Sequence, residues 1–329
     1  MPKISKKISI FASTTCVALL VTGCSAMADN NHKAAVADGV GASPNQIQAN
    51  VPNGTASEWE LVNNLSDEFN GATIAKSKWT TDINQFDGPW AWDPKNVTVA
   101  NGNLDITMRH VTRNVQIPNK KGKRVTTAIH YTSGMLKSKS KMIFGYYEAR
   151  IQGVSTFPGS SPAFWLYSNV GSDMAAGLIG KKDGDTAYSE VDIVEMQQER
   201  SSIHKIDMHG PYQIMKNGKH VFVRRKDAPY SPVTVDFDPS KGFHTYGVMV
   251  SRKSLTYYVD GVKMISQPND HWNHLPMNLA LSLGLRAPNL TYNNCPDNLR
   301  RCATPGSADA AGYPTTMKVD WVRVYKSKS

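Results

Sequence analysis

The chain has 329 residues, and its 37 Lys and Arg outnumber its 27 Asp and Glu, which gives a formal net charge of +10 at pH 7. Such a charge favours anionic partners, namely nucleic acid, an anionic membrane surface or an acidic polysaccharide, and does not by itself choose among them. The length excludes a domain too small to bury a core, because about 270 residues remain after an N-terminal signal and linker, enough for one large β domain or two smaller ones.

Residues 1–23 have the pattern of an export signal. Lys3, Lys6 and Lys7 precede an apolar run over residues 8–21, which is too short to span a membrane but fits a signal peptide. We therefore expect this segment to be removed rather than folded. It contains three basic residues and no acidic one, so the remaining chain stays positively charged.

The end of the signal resembles the lipobox of bacterial lipoproteins, because small residues stand directly before Cys24 in the sequence LVTGC. The resemblance implies that Cys24 is lipidated and becomes the new N-terminus of an exported, membrane-anchored protein. Ser25 follows the cysteine instead of a retaining Asp, which predicts anchoring at the outer membrane of a Gram-negative cell envelope. The alternative is a plain secretion signal cut near Ala26 or Ala28.

Residues 24–57 are rich in Ala, Asn, Gly and Pro and contain few large apolar side chains. Such a composition cannot bury enough surface to order itself, so we interpret this segment as a flexible tether. Large apolar side chains such as Trp59 and Phe69 become frequent from residue 58 onward. We therefore assign residues 58–329 to a folded domain.

The folded domain shows the period of two that is typical of strands. Apolar and polar side chains alternate over residues 104–108, residues 257–265 predict a hairpin that turns at an Asp-Gly pair, and residues 317–325 predict a closing strand. Helical patterns are scarce, the best lying near residues 174–179. Many strands without βα alternation predict an all-β fold, an antiparallel β-jelly roll or sandwich of two stacked sheets.

Two of the four cysteines can pair in an exported chain. Cys16 leaves with the signal and Cys24 would carry lipid, whereas Cys295 and Cys302 enter a compartment in which thiols oxidise. We expect these two to form a disulfide that ties down a small surface loop. Metal binding by the pair is not expected, because no second pair of Cys or His stands at ligand spacing.

Three acids stand among β-branched residues in the segment YSEVDIVEM, residues 188–196. In a regular strand Glu190 and Asp192 point to one face, whereas Glu195 has the opposite parity. One inserted residue at position 193 or 194, forming a β-bulge, would return Glu195 to the acidic face. Three acids on one face repel one another, so we expect one of them to hold a proton near neutrality.

Glycoside hydrolysis requires this asymmetry between carboxyl groups. In the retaining mechanism an ionised carboxylate attacks the anomeric carbon, while a protonated one gives its proton to the leaving oxygen and later activates water. Asp192, between the two glutamates, can orient the nucleophile by a hydrogen bond. Two alternatives are a solvated strand face whose acids pair with basic residues, and a metal site, because hard cations bind clustered carboxylates.

The acidic segment resembles the catalytic signature of glycoside hydrolase family 16 in its bulged form: Glu, any residue, Asp, one or two apolar residues, Glu. The likeness covers nearly all of residues 60–326 and points to the κ-carrageenase branch. The blocks that carry it are YTSG (131–134), GYYEARI (145–151), STFPGSSPAFWLYS (155–168), FHTYGV (243–248), YYVDG (257–261), GLRAP (284–288) and residues 312–323.

The resemblance implies a jelly roll whose carboxylate strand lies on the concave face of a cleft open at both ends, with no cofactor required. It implies that the chain is a retaining, endo-acting hydrolase. Glu190 is the implied nucleophile, Asp192 the assisting acid and Glu195 the acid/base.

The resemblance also implies two sulfate-binding arginines. Arg286, in GLRAP, resembles the arginine that contacts a galactose sulfate beside the scissile bond, and a planar guanidinium suits that contact. Arg224 resembles a second sulfate-facing arginine, although Phe222 stands where the branch tends to have tryptophan.

Three tryptophans and a histidine are implied to line the cleft. Trp90 and Trp92 would stack on sugar rings, Trp165 would form the floor beneath the acids, and His209 in IDMHG would lie near the cleft. Without the resemblance, core packing for a tryptophan and a structural role for a lone histidine are the ordinary interpretations.

The implied substrate is the sulfated red-algal galactan κ-carrageenan, cut at β-1,4 linkages. The branch has a cysteine ahead of YTSG that pairs with a late one, whereas residues 111–129 contain no cysteine and are basic. Because loops at the edge of a cleft select the sulfation pattern, furcellaran or a hybrid β/κ-carrageenan is an alternative substrate. Agarose and porphyran, cut by sister branches, are more distant alternatives.

A non-catalytic galactan-binding jelly roll is the rival function, but it has no use for three carboxylates facing an anionic ligand. Nucleic acid is not an expected partner, because the signal exports the protein and aromatic residues are not interleaved with Lys and Arg.

Many family members hold a structural calcium, for which Asp320 is a candidate ligand, although the sequence leaves the metal ligands unknown. We expect a monomer.

Overall fold

The computed structural model describes residues 56–83, 88–155, 159–196, 205–209, 212–223, 232–269 and 274–328. The predicted export signal with Cys24, the predicted tether up to residue 55, and Arg224 lie outside these ranges. Within them the chain forms 21 β-strands and one short α-helix, α1 (Val170–Ala175).

The strands follow one another along the chain with short connections. In order they are β1 (Trp59–Leu61), β2 (Trp79–Thr80), β3 (Trp90–Trp92), β4 (Val97–Ala100), β5 (Asn103–Pro118), β6 (Arg124–Ser133), β7 (Met135–Met142), β8 (Gly145–Gln152), β9 (Ser160–Tyr167), β10 (Thr186–Glu195), β11 (Lys205–His209), β12 (Tyr212–Lys216), β13 (Lys219–Val223), β14 (Pro232–Thr234), β15 (His244–Val250), β16 (Ser254–Val259), β17 (Val262–Pro268), β18 (Met277–Leu285), β19 (Leu290–Thr291), β20 (Cys302–Ala303) and β21 (Thr315–Ser327).

Two large sheets stack on each other as a jelly roll, which confirms the predicted all-β fold. The first runs in the order β17-β16-β15-β8-β21-β5-β6-β3, with β1 on β21 and β4 on β5. The second runs β13-β12-β10-β9-β18-β7-β2, with β11 on β10 and β14 on β11. Apolar side chains of both sheets, such as Ile106 and Val319 from the first and Phe164 and Leu281 from the second, form one buried cluster.

The predicted hairpin is confirmed between β16 and β17. Asp260 and Gly261 both have positive φ angles, 47° and 76°, and they join Val259 to Val262 in direct register. A two-residue turn with two positive φ angles matches the twist of the flanking strands, which is why Asp-Gly is favoured there.

The central strands of the second sheet are covered on both faces, although the two faces differ in side-chain size. All nine residues of β18 are buried. The odd-numbered residues of this strand, Met277, Leu279, Leu281, Leu283 and Leu285, belong to the core. The even-numbered ones, Asn278, Ala280, Ser282 and Gly284, are smaller and lie on the other face. This pattern leaves space above the second sheet.

The short helix begins earlier than predicted. The side chain of Asn169 accepts a hydrogen bond from the backbone N–H of Ser172 and so starts α1 at Val170, whereas the apolar pattern near residues 174–179 suggested a later start. A polar cap thus decides the boundary that hydrophobic spacing alone misplaces.

A small loop is closed by the predicted disulfide between Cys295 and Cys302. Strands β19 and β20 pair at its base, with Thr291 opposite Cys302. The β5–β6 hairpin supports the loop, because Asn119 Nδ2 donates to the carbonyl of Asp297 at 2.7 Å and Lys120 N donates to the carbonyl of Asn298 at 2.9 Å.

Asp320, the candidate calcium ligand, is paired with a cation. Its Oδ2 accepts a hydrogen bond from Nη1 of Arg150 at 2.5 Å. In the part of the chain that the structure describes, no three His, Cys, Asp or Glu side chains are grouped so that they could hold a metal ion. Over the same ranges, no helix has both the length and the apolar character needed to cross a bilayer.

Candidate active site

A β-bulge in β10 brings the three acids to one face. Glu190 and Asp192 pair with Tyr167 and Trp165 of β9, and the register then shifts, so that Val194 pairs with Phe164 and Glu195 with Ala163. Residue 193 is therefore the inserted residue, and it is one of the two positions predicted for the bulge. The register of β10 with β11 shifts over the same residues, with Asp192 opposite His209 and Glu195 opposite Asp207.

The acids form part of the wall of a cleft with a volume of about 260 Å³. Small side chains on the same sheet face, including Ser161 and Ala163 on β9 and Ser282 and Gly284 on β18, make room for it. The cleft is lined by Trp90, Trp92, Met135, Ser161, Ala163, Trp165, Tyr188, Glu190, Asp192, Glu195, Ser282, Gly284, Arg286 and Arg301.

Glu190 is half-buried and accepts a short hydrogen bond. The hydroxyl of Tyr188 donates to its Oε2 at 2.6 Å. Burial raises the pKa of Glu190 to about 7, and the nearby charge of Glu195 acts in the same direction, while the hydrogen bonds from Tyr188 and Asp192 and the charge of Arg286 lower it. Glu190 is therefore poised to be ionised just above neutrality.

Asp192 is the acid that holds a proton. It is 3% exposed, and burial, followed by the charges of Glu190 and Glu195, raises its pKa well above the ordinary value. A neutral Asp192 can donate its proton in the hydrogen bond to Glu190. This agrees with the expectation that one member of the acidic row is protonated near pH 7.

Glu195 is paired with Arg286. Nη2 of Arg286 donates to Oε1 of Glu195 at 2.6 Å, and the carboxyl side chain is 9% exposed against 26% for the guanidinium. Arg286 follows the last residue of β18, and its backbone N–H donates to the carbonyl of Gly159 at 2.9 Å. A Cβ at Gly284 would lie 3.3 Å from Nη1 of Arg286, so the glycine leaves space for the arginine.

Trp165 lies next to the acids, where the floor of the cleft was predicted. Its ring stacks on Tyr167 with centroids 4.5 Å apart, and its Nε1 donates to Oγ of Ser282 at 3.1 Å. Lys137 contacts the same pair of rings, with Nζ over the ring of Tyr167 and 5.1 Å from its centroid. The indole is thereby fixed as a flat apolar surface beside Asp192.

Trp90 and Trp92 also line the cleft. Their rings meet edge to face with centroids 5.6 Å apart. Trp90 is 7% exposed and belongs to the main core cluster, whereas Trp92 packs against that cluster and is more exposed. Trp90 thus combines core packing with a cleft position.

Two predicted binding residues are described only in part or not at all. The backbone of His209 pairs with Asp192, next to the acids, but its side chain lies outside the described residues. Arg224 lies entirely outside them.

Tyr188, Arg301 and Tyr292 are among the residues at or beside the site that were not predicted from the sequence. Tyr188 stands two positions before Glu190 on the same strand face, and this spacing could have predicted that the two side chains are neighbours. Arg301 and Tyr292 belong to the disulfide-closed loop, and nothing in the sequence placed Arg301 over the rings of Trp90 and Tyr292.

The family model and the similar proteins point to the same family. The family model that matches is the GH16 domain of beta-porphyranases A–D, and the match covers residues 59–327. The kappa-carrageenase of Pseudoalteromonas carrageenovora is 37% identical over 272 residues, which cover 81% of this chain and 64% of that protein. The chain therefore spans less than two thirds of that relative's length.

Two further similarities bear on the branch. Beta-porphyranase B of Zobellia galactanivorans is 26% identical over 283 residues, covering 82% of this chain and 85% of that protein. The crystal structure of the P. carrageenovora kappa-carrageenase in complex with an oligotetrasaccharide of kappa-carrageenan is 36% identical, with a TM-score of 0.71 over 83% of this chain and 97% of that one.

Proposed function

The chain belongs to glycoside hydrolase family 16, and on this basis we propose that it is an endo-acting hydrolase that cuts β-1,4 linkages of κ-carrageenan with retention of configuration. The observation that carries the proposal is the row of Glu190, Asp192 and Glu195 on the cleft face of one bulged strand, with Arg286 against it.

The family model describes porphyranases, whereas the relative with the higher identity reported above is a kappa-carrageenase. We follow that relative, because this chain is 37% identical to the kappa-carrageenase and 26% identical to the porphyranase over similar shares of its length. The presence of Arg286 inside the cleft supports a sulfated galactan as the substrate, because a guanidinium matches the oxyanion geometry of a sulfate ester.

In the first chemical step, we infer that the Glu190 carboxylate attacks the anomeric carbon and forms a glycosyl-enzyme bond. The hydrogen bonds from Tyr188 and neutral Asp192 hold this carboxylate in one orientation. Glu195 donates its proton to the glycosidic oxygen as that bond breaks, so the leaving sugar departs as a neutral alcohol.

In the second step, Glu195 is a carboxylate and takes a proton from water, which attacks the same anomeric carbon. The bond to Glu190 breaks, Glu190 returns to its ionised form and Glu195 regains its proton. Two inversions at one carbon give retention.

The experiment is reducing-end release from κ-carrageenan, furcellaran, agarose and porphyran, with proton NMR of the fresh anomers. We expect the wild-type protein to cleave κ-carrageenan with initially β products, and Glu190→Gln to lose the activity. Glu60→Gln, which alters an exposed glutamate paired with Lys326, is the matched control and should keep it. A preference for furcellaran would identify the alternative substrate, and binding without cleavage would mean a binding module.

We also propose that Cys24 carries a lipid that anchors the exported protein at the outer membrane. The proposal rests on the lipobox-like sequence LVTGC. Membrane fractionation of cells that express the wild type or Cys24→Ala tests it. The variant should leave the membrane fraction, and its retention there would refute the anchor.

A further inference from the structure

A lysine of β7 shares a sheet face with the three acids. Asp192 pairs with Trp165 of β9, and Trp165 pairs with Ala280 of β18. Ala280 in turn pairs with Lys137 of β7. Residues directly opposite each other on neighbouring strands project to the same face, so this row carries Lys137 onto the face of Asp192. Three strand spacings separate the two backbones, which amounts to about 14 Å.

The side chain of Lys137 extends from β7 toward the acids. Its Nζ lies over the ring of Tyr167 on β9, 5.1 Å from the ring centroid and within the range of cation–π attraction. Tyr167 pairs with Glu190 in the strand register. Burial, followed by the charge of Glu190, raises the pKa of this tyrosine to about 12. The ammonium of Lys137 and the carboxylate of Glu190 are therefore neighbours of the same ring.

The electrostatic surroundings of Lys137 favour an incoming anion. Within the described ranges, Lys137 forms no ion pair with a carboxylate, because Asp173 pairs instead with Lys141, whose Nζ lies 2.5 Å from Oδ1. Burial lowers the pKa of Lys137 and the charge of Lys141 acts in the same direction, while Asp173 partly opposes them. A partly buried cation beside a second cation is destabilised, and an anion bound to it would offset this cost.

Lys137 and Arg286 mark two different positions along the acidic row. Arg286 pairs with Glu195, which lies opposite Ala163 of β9, whereas Lys137 contacts the ring of Tyr167. Positions 163 and 167 of one strand are about 13 Å apart along its axis. Two cations at such positions suit two anionic groups carried by different sugars of an extended chain.

We propose that Lys137 binds a sulfate ester on a sugar other than the one whose sulfate Arg286 contacts, and that it thereby favours galactans sulfated on successive repeats. This deepens the proposed function and depends on a sulfated galactan as the ligand. An ammonium suits the contact, because its three donors rotate freely and its charge needs no fixed geometry. A sparsely sulfated galactan would leave Lys137 beside Lys141 without an anion.

Calorimetric binding in a Glu190→Gln background tests the proposal without relying on turnover. The probes are a κ-carrageenan hexasaccharide and its chemically desulfated counterpart. Lys137→Met removes the charge and keeps an unbranched apolar chain over the ring of Tyr167. It should weaken binding of the sulfated probe about tenfold, as expected for the loss of a charge-assisted hydrogen bond, and change binding of the desulfated probe less than about twofold. Lys137→Arg should restore most of the affinity, because it keeps the charge.

Lys139→Met is the matched control, because Lys139 is an exposed lysine of the same strand. It removes the same charge from β7 and should leave the affinity for both probes unchanged. The proposal is overturned if Lys139→Met and Lys137→Met have equal effects. It is also overturned if Lys137→Met weakens both probes equally, as lost packing against Tyr167 would.

Cleavage assays on the wild type separate this inference from the proposed function. Binding of the sulfated probe that depends on Lys137, without cleavage of any galactan, would keep this inference and remove the hydrolase. Cleavage of κ-carrageenan together with unchanged binding by Lys137→Met would keep the hydrolase and overturn this inference. Failure of the Glu190→Gln protein to bind the sulfated probe more tightly than the desulfated one would overturn this inference as well.

Discussion

Arg286 donates from Nη2 to Oε1 of Glu195 across 2.6 Å, so the residue expected to contact a sulfate ester is paired with the residue expected to donate the proton. A guanidinium at this distance stabilises the carboxylate form, which cannot act as an acid. A sulfate that takes up the donors of Arg286 would weaken the pairing and let Glu195 hold its proton. Recognition of the sulfate and readiness for acid catalysis would thereby be linked.

Replacing Arg286 with Gln should separate the two effects of this pairing. We expect kcat/KM on the sulfated galactan to fall about 100-fold or more, because an ionic contact in a desolvated cleft is lost. The alkaline limb of the pH profile of kcat/KM should move to higher pH, because Glu195 without its cation keeps a proton longer.

The pH profile of Arg150→Gln provides the control. This variant breaks the 2.5 Å ion pair between Arg150 and Asp320, and neither residue lines the cleft. An alkaline limb for Arg286→Gln that stays in place or moves to lower pH would contradict the link.

Tyr188→Phe removes one donor to Glu190 and keeps the ring. The hydroxyl lies 2.6 Å from Oε2 and lowers the pKa of Glu190, so its loss should raise that pKa above about 7. The proposed nucleophile must be ionised to attack, so the acidic limb of kcat/KM should move to higher pH, by about 1 to 2 pH units for one charge-assisted hydrogen bond. Activity should fall much more at pH 6 than at pH 9. A uniform loss across pH would indicate a packing role for Tyr188 instead.

Asp192→Asn should be tolerated better than Glu190→Gln. Burial and the charges of Glu190 and Glu195 keep Asp192 protonated, so a neutral amide that can also donate a hydrogen bond is an electrostatic match. We expect a loss of about 10- to 100-fold in kcat, against about 10,000-fold or more for removal of the proposed nucleophile. Single-turnover rates would measure both, and equal losses would mean that Asp192 acts as an ionised group.

The sequence predicted those parts of the site that depend on local geometry. Parity along β10 required a bulge at residue 193 or 194, and the register of β9 assigns it to residue 193. Alternation also predicted the hairpin through Asp260 and Gly261. Both follow from the fixed period of a strand, which holds whatever the strand packs against.

What the sequence could not predict depends on contacts between distant parts of the chain. Arg301 meets Trp90 only because the β19–β20 loop folds back to the cleft, and more than two hundred residues separate them. The pairing of Arg286 with Glu195 likewise joins the end of β18 to the end of β10 across β9. Residue spacing fixes neither contact, because both depend on the order of strands within a sheet.

Glu148 is a buried acid outside the cleft, and it should make stability depend on pH. It is 4% exposed on β8, its Oε1 accepts from the hydroxyl of Tyr146 at 3.0 Å, and burial raises its pKa to about 7 from an ordinary value of 4.5. Between these two values the folded protein binds the proton more tightly than the unfolded chain. The free energy of unfolding therefore falls by about 3 kcal/mol in all as pH rises through this window, and it levels off above it.

Glu148→Gln keeps the acceptor and removes the charge, so thermal unfolding should show a gain in Tm of several degrees at pH 8 and almost none at pH 5. The difference from wild type isolates Glu148 from the cleft acids, which titrate in both proteins, and Glu60→Gln should show no such pH-dependent gain. An equal change in Tm at both pH values would contradict this prediction. It would mean that the protonation of Glu148 does not make the stability of the folded protein differ between pH 5 and pH 8.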